Sequence, residues 1–225
     1  MTPQAPTPIT PFDEYLATCS GAAGTALDAG ELDFEGRRFL GSTSRDLPID
    51  PVRAYAGTRH GDPRERAARL VRELVRLGAA RRSRLVLAAP TGRGWANHVL
   101  LRALEHLSGG DVSTACSQFG SERSTRSRGQ LAASARSLLL LVDAVEAEPA
   151  LRDVELFVVG ESFGAWTMST MLPDLRVADG LLFAATPGVA RLDARSGELA
   201  ALDAASTRVV RLERPDDPVV AVPGA

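Results

Sequence analysis

The chain has 225 residues, 44% of them hydrophobic and 24% charged, with a formal net charge of −2. That is ordinary usage for one globular α/β domain with a sizeable core, and it argues against a nucleic-acid or polyanion partner. All 26 basic residues are arginine, which excludes mechanisms that need lysine: a Schiff base, a Ser–Lys dyad or a P-loop lysine.

Residues 1–30, with four prolines before residue 12, read as a flexible or loosely docked N-terminal arm, and 31–225 as a single domain. "MTPQAPTPITPF" has neither the basic nor the apolar region of a signal peptide. Cys19 and Cys116 stand far apart without metal-ligand spacing, which fits a reducing, cytoplasmic setting. "FEGRRFL" reads as a short edge strand or a docking segment. "PVRAYAG" (51–57) is a strand. Residues 63–78 form a helix, with Pro63 in its first turn, Leu70, Leu74 and Leu77 on one face, and Gly78 closing it. "RLVLAAP" (84–90) is a buried strand, followed by the turn "TGRGW" and a helix to Leu107. "VSTACSQF" (112–119) is the next strand, 120–129 a polar loop and 130–147 a helix. "VELFVVG" (154–160) is strand and 163–172 helix. "VADGLLFAATP" (177–187) and "TRVVRLER" (207–214) complete the strands. No apolar run reaches the roughly 18 residues of a membrane span. The alternation predicts an α/β fold: a mostly parallel sheet with helices on both faces, its site at the carboxyl ends of the strands.

Gly160-Glu161-Ser162-Phe163-Gly164 stands at a strand-to-helix junction, where Gly-x-Ser-x-Gly marks a nucleophile elbow. The sharp turn needs small residues on either side of the serine, and Gly160 and Gly164 meet that need. The competing reading is a plain small-residue loop. An oxyanion hole would take the Phe163 N–H and a second donor from the loop at Thr91 and Gly92, which reads alternatively as a structural turn or half of a dinucleotide loop. Asp217, leaving the last strand in "RPDDPVV", is the candidate acid; a surface turn is its competing reading. No histidine follows it. His60 and His98 are the candidate bases, beside the option that no intact triad exists. Trp95, Glu161, Trp166 and Gln118 are read as pocket residues, with Trp166 equally suited to the core. No cofactor or metal is expected.

The ordered set "EGRRFL", "PVRAYAG", "PTGRGW", "ALEHLSGGD", Gln118-Phe119, "GESFG" and "DDPVV" resembles an uncharacterised actinobacterial α/β-hydrolase family. Its usual members join an N-terminal membrane region to a hydrolase-like domain. The resemblance implies an α/β-hydrolase fold, a Ser162 nucleophile and an Asp217 acid. Three family features are missing here: the membrane region, a longer 120–129 loop, and the C-terminal Gly-His motif that would supply the base. The sheet is therefore expected to be truncated at its C-terminal edge, which a homo-oligomer would cover. The expected function is a serine hydrolase or acyltransferase acting on a small-molecule ester or thioester. The alternative is a degenerate hydrolase, serving as a binding module or a non-hydrolytic tailoring enzyme.

Overall fold

The computed structural model describes residues 19–20, 25–91, 94–120, 128–190, 192–214, 216–217 and 220. Six strands form one sheet: β1 (Val52–Ala56), β2 (Arg84–Ala89), β3 (Val112–Ser117), β4 (Glu155–Glu161), β5 (Gly180–Ala184) and β6 (Arg208–Leu212). Their order is β1-β3-β2-β4-β5-β6, and every pairing is parallel. The helices are α1 (Phe34–Gly41), α2 (Pro63–Leu77), α3 (His98–Leu107), α4 (Arg128–Glu146), α5 (Phe163–Ser169) and α6 (Ser196–Ala204). Strands buried on both faces read as continuous apolar runs, which is why "LVLAA" and "LFVV" were legible as strands. Side chains alternate across the sheet and feed two cores. Leu85, Leu87 and Val158 pack toward α2, α4 and α5, whereas Val86, Ala88 and Val159 face α1 and α3.

α2 begins where expected. Asp62 caps it, its carboxylate accepting from Arg64 and Glu65 N–H, and Pro63 follows. It ends at Gly78, whose left-handed φ of 83° closes the C-terminus. Leu70, Leu74 and Leu77 are all buried. "FEGRRFL" is not an edge strand: it is helix α1, docked on β1. Asp33 caps it by accepting from Gly36 N–H, and the helix buries Phe39 and Leu40. Gly36 lies against the Tyr55 ring, where a Cβ would come within 2.8 Å.

Part of the predicted arm is docked. Ser20 N–H donates to Arg53 O at 2.8 Å, Tyr55 N–H donates to Ser20 Oγ at 3.0 Å, and Leu27 is buried in the core. The remainder of the arm, residues 1–18 and 21–24, lies outside the described residues, as do 121–127 of the polar loop. Beneath α1, the buried Arg53 guanidinium donates to Glu105 Oε1 at 2.6 Å, Phe39 O at 2.6 Å and Ser42 Oγ at 2.8 Å. Ser44 N–H supplies the second Glu105 oxygen at 2.8 Å. This network ties β1, α1 and α3 together. Among the described residues no helix is long and apolar enough to cross a membrane.

Candidate active site

Ser162 sits between β4 and α5 with φ 50° and ψ −113°. A side-chain-bearing residue rarely adopts this conformation, and it costs on the order of 1–3 kcal/mol. Hydrogen bonds hold the turn: Ser162 N–H donates to Ala184 O on β5, and Trp166 N–H donates to Ser162 O, each at 3.0 Å. The flanking glycines are required by packing. A Cβ on Gly160 would lie 2.6 Å from the Gly164 carbonyl carbon, and one on Gly164 would overlap the Ala89 carbonyl oxygen at the end of β2. Gly-x-Ser-x-Gly therefore brings α5 against both β4 and β2. Ser162 itself is half-buried, at the carboxyl edge of the sheet.

The neighbouring loop runs from β2 into α3. Thr91 N–H donates to Trp95 O and Gly94 N–H to Thr91 O, both at 2.8 Å, which closes a tight turn. The Thr91 N–H is thus engaged within the turn; Gly92 lies outside the described residues. Tyr55 of β1 pins the loop by donating its Oη to Gly94 O at 2.9 Å. A Cβ on Gly94 would overlap that hydroxyl. Asn97 caps α3, its side-chain oxygen accepting from Val99 and Leu100 N–H.

β2 and β4 are adjacent, yet the chain leaves them toward opposite faces: α3 returns to β3 on one side, α5 leads to β5 on the other. Such a switch in strand order opens a crevice at the carboxyl ends, where ligands bind in open α/β sheets. A cavity of about 10 Å³ lies there, lined by Ala89, Thr91, Trp95, Asn97, Gly160 and Glu161 among others. Of the residues read as pocket-lining, Trp95 and Glu161 meet at this cavity, beside Thr91 of the expected oxyanion loop. Gln118 does not line it. Its amide instead bridges three segments, donating to Asp33 Oδ2 at 2.8 Å and Gly120 O at 2.9 Å and accepting from Thr58 N–H at 3.2 Å. Trp166 stands on the other side of Ser162. Its ring meets Phe163 edge-on at 6.0 Å, and Phe163 stacks on Phe119 at 5.8 Å. Phe119 belongs to this ledge too; the sequence reading had it at the end of a strand and in the Gln118-Phe119 pair, but not among the site residues.

The titratable candidates are spread along the edge. Asp217 follows β6, two strands from β4, with its N–H donating to Arg214 O at 3.0 Å. His60 follows β1, three strands away on the other side. It is fully buried, its Nδ1 accepts from Gly57 N–H at 2.9 Å, and Nε2 lies 3.3 Å from Asp28 O and 3.4 Å from Glu31 Oε2. Both ring nitrogens are therefore engaged in holding the β1 loop. His98 is the first residue of α3, with Nδ1 buried and without a hydrogen-bond partner among the described residues. Burial, and then the charges of Arg38, Arg53 and Arg102, hold its pKa below the usual 6.5. His98 and Asp217 emerge on opposite sides of β4.

A family model described as the alpha/beta-hydrolase family matches residues 52–209, well over half of the chain. The chain belongs to the α/β-hydrolase family. No curated protein and no solved structure matches it. Membership agrees with the parallel six-stranded sheet and its helices, and the matched span contains Ser162, His98 and His60 but not Asp217.

Proposed function

We propose that this chain is a serine hydrolase or acyltransferase acting on a small-molecule ester or thioester, with Ser162 as nucleophile. The observation that carries the proposal is the φ of 50° at Ser162 on a strand-to-helix turn with no room for a side chain at Gly160 or Gly164. A nucleophile elbow is held in such a strained conformation. Ser162 Oγ attacks the acyl carbon, and the carbonyl π pair moves onto oxygen, stabilised by Phe163 N–H and a second donor at Gly92. Collapse breaks the bond to the leaving alkoxide or thiolate, which takes up the proton lost by Oγ. Water, or a second nucleophile in an acyltransferase, then cleaves the acyl-enzyme and Oγ recovers a proton. Asp217 serves as the acid at the same edge. Since it and His98 flank β4, Ser162 works without a linear triad, and His98 is the proposed proton acceptor. The free, buried thiols of Cys19 and Cys116 support a cytoplasmic setting. A fluorophosphonate probe should label the folded wild-type chain and not Ser162→Ala. No labelling of folded protein would sink the proposal.

A second reading keeps the fold as a binding module or a non-hydrolytic tailoring enzyme. The observation favouring it is His60, whose two nitrogens are both engaged far from Ser162. Under it, Ser162→Ala retains full biological activity.

A further inference from the structure

Glu161 is the carboxylate among the residues that line the cavity. It ends β4, and strand alternation turns its side chain, like Phe157 and Val159, toward the α1/α3 face and into the cavity. Its Oε2 is shut away from solvent and has no hydrogen-bond partner among the described residues. Most of the remaining wall is apolar, including Ala88, Leu100, Leu101 and Val159. The polar wall atoms with known partners are engaged: the Asn97 side-chain oxygen in capping α3, the Thr91 N–H with Trp95 O. Among the described residues no arginine lines the cavity. Glu161 is half-buried, and this one carboxylate oxygen lacks the hydrogen bonds water would give it; an incoming cation supplies them.

We propose that this cavity is a primary-ammonium subsite with Glu161 as its counter-ion, so that the acyl group presented to Ser162 carries an amine within a few bonds of its carbonyl. The inference rests on the hydrolase reading of Ser162 and adds the substrate class: an amino-acyl ester or thioester. Three features select that class. The carboxylate supplies charge-assisted hydrogen bonding. Trp95 supplies an aromatic wall of the kind that attracts cations. The space of about 10 Å³ has room for one water-sized group, which fits –NH₃⁺. Glu161 and Ser162 are adjacent in the chain, so the ammonium and the reacting carbonyl must be close together in the substrate.

Binding is tested first without any variant. Ethylammonium chloride, ethanol and tetramethylammonium chloride are titrated into the wild-type chain at constant ionic strength and followed by NMR. Ethylammonium should bind at least tenfold more tightly than the other two, and Glu161→Gln, with an unchanged spectrum elsewhere, should abolish the preference. The kinetic arm compares p-nitrophenyl esters of β-alanine and propionic acid. The ratio of their kcat/KM values should favour the amino ester at least tenfold in wild type and fall at least tenfold in Glu161→Gln. Equal binding of ethylammonium and ethanol, or a preference that survives Glu161→Gln, overturns the subsite. Fluorophosphonate labelling separates the two levels. Labelling without ammonium selectivity removes the subsite and leaves the hydrolase; ammonium selectivity without labelling keeps the subsite and removes the hydrolase.

Discussion

At the scale of single residues, Ser162 is held against its own conformational preference. Its positive φ crowds the Cβ, a cost of about 1–3 kcal/mol that glycine does not incur. Ser162→Gly should therefore be more stable than Ser162→Ala by about 1 kcal/mol, after allowing for the extra chain entropy of glycine. Urea unfolding of the two variants measures this; equal midpoints would mean that the turn relaxes and stores no strain. His98 carries a prediction in pH. A base acts when unprotonated, and a pKa held below 6.5 by burial and by Arg38, Arg53 and Arg102 leaves this ring neutral at neutral pH. Fluorophosphonate labelling of Ser162 should rise with pH through a midpoint below 6.5 and then level off. His98→Gln should remove that limb. A midpoint above 6.5, or a limb that persists in the variant, assigns the proton to another acceptor.

Among elements, the helices and strands that were legible in sequence are those whose periodicity is a property of the local run. α2 shows this best: Pro63, the leucine stripe and Gly78 each carry their own physical signal. α1 was missed because its helix rests on contacts that the local run does not contain. Its third residue is Gly36, a poor helix former that is there because Tyr55 leaves no room for a side chain. The site divides the same way. The Gly160-Glu161-Ser162-Phe163-Gly164 turn was readable because its residue pattern falls within five residues, although Gly164 is constrained from outside them, by Ala89 O. Engagement of His60 with Gly57 and Asp28, and of Gln118 with Asp33, Thr58 and Gly120, depends on parts of the chain brought together by folding. The buried Arg53–Glu105 pair linking β1 to α3 was equally hidden, and it sets a sharp test. Glu105→Leu leaves the Arg53 charge buried without its partner and should destabilise the fold by about 3–5 kcal/mol. Arg53→Met combined with Glu105→Leu should recover most of that loss in urea unfolding. If the double variant is no better than the single one, the ion pair is not what makes the charge tolerable.

On the scale of the whole molecule, the two edges of the sheet differ. β1 is covered by α1 and by the Cys19–Ser20 segment, whose Ser20 N–H donates to Arg53 O. β6 pairs only with β5, so one side of its backbone faces outward among the described residues. Val210 and Leu212 are 50% and 53% exposed, and they point to the α1/α3 face, where no described helix covers β5 and β6. An open edge with apolar side chains is a template for another strand. A second copy of the same chain fits it. Two β6 strands running antiparallel about Val210 would set Val210 against its own copy and Arg208 opposite Leu212, with no like charges facing each other. This arrangement would join two six-stranded sheets into one and bring the exposed apolar side chains of both copies together. We expect light scattering at tens of micromolar protein to report twice the 23.8 kDa chain mass. Val210→Glu should halve it, because the two-fold would then place two carboxylates face to face. A wild-type mass of one chain would rule out the pairing, and a dimer unaffected by Val210→Glu would move the interface away from β6.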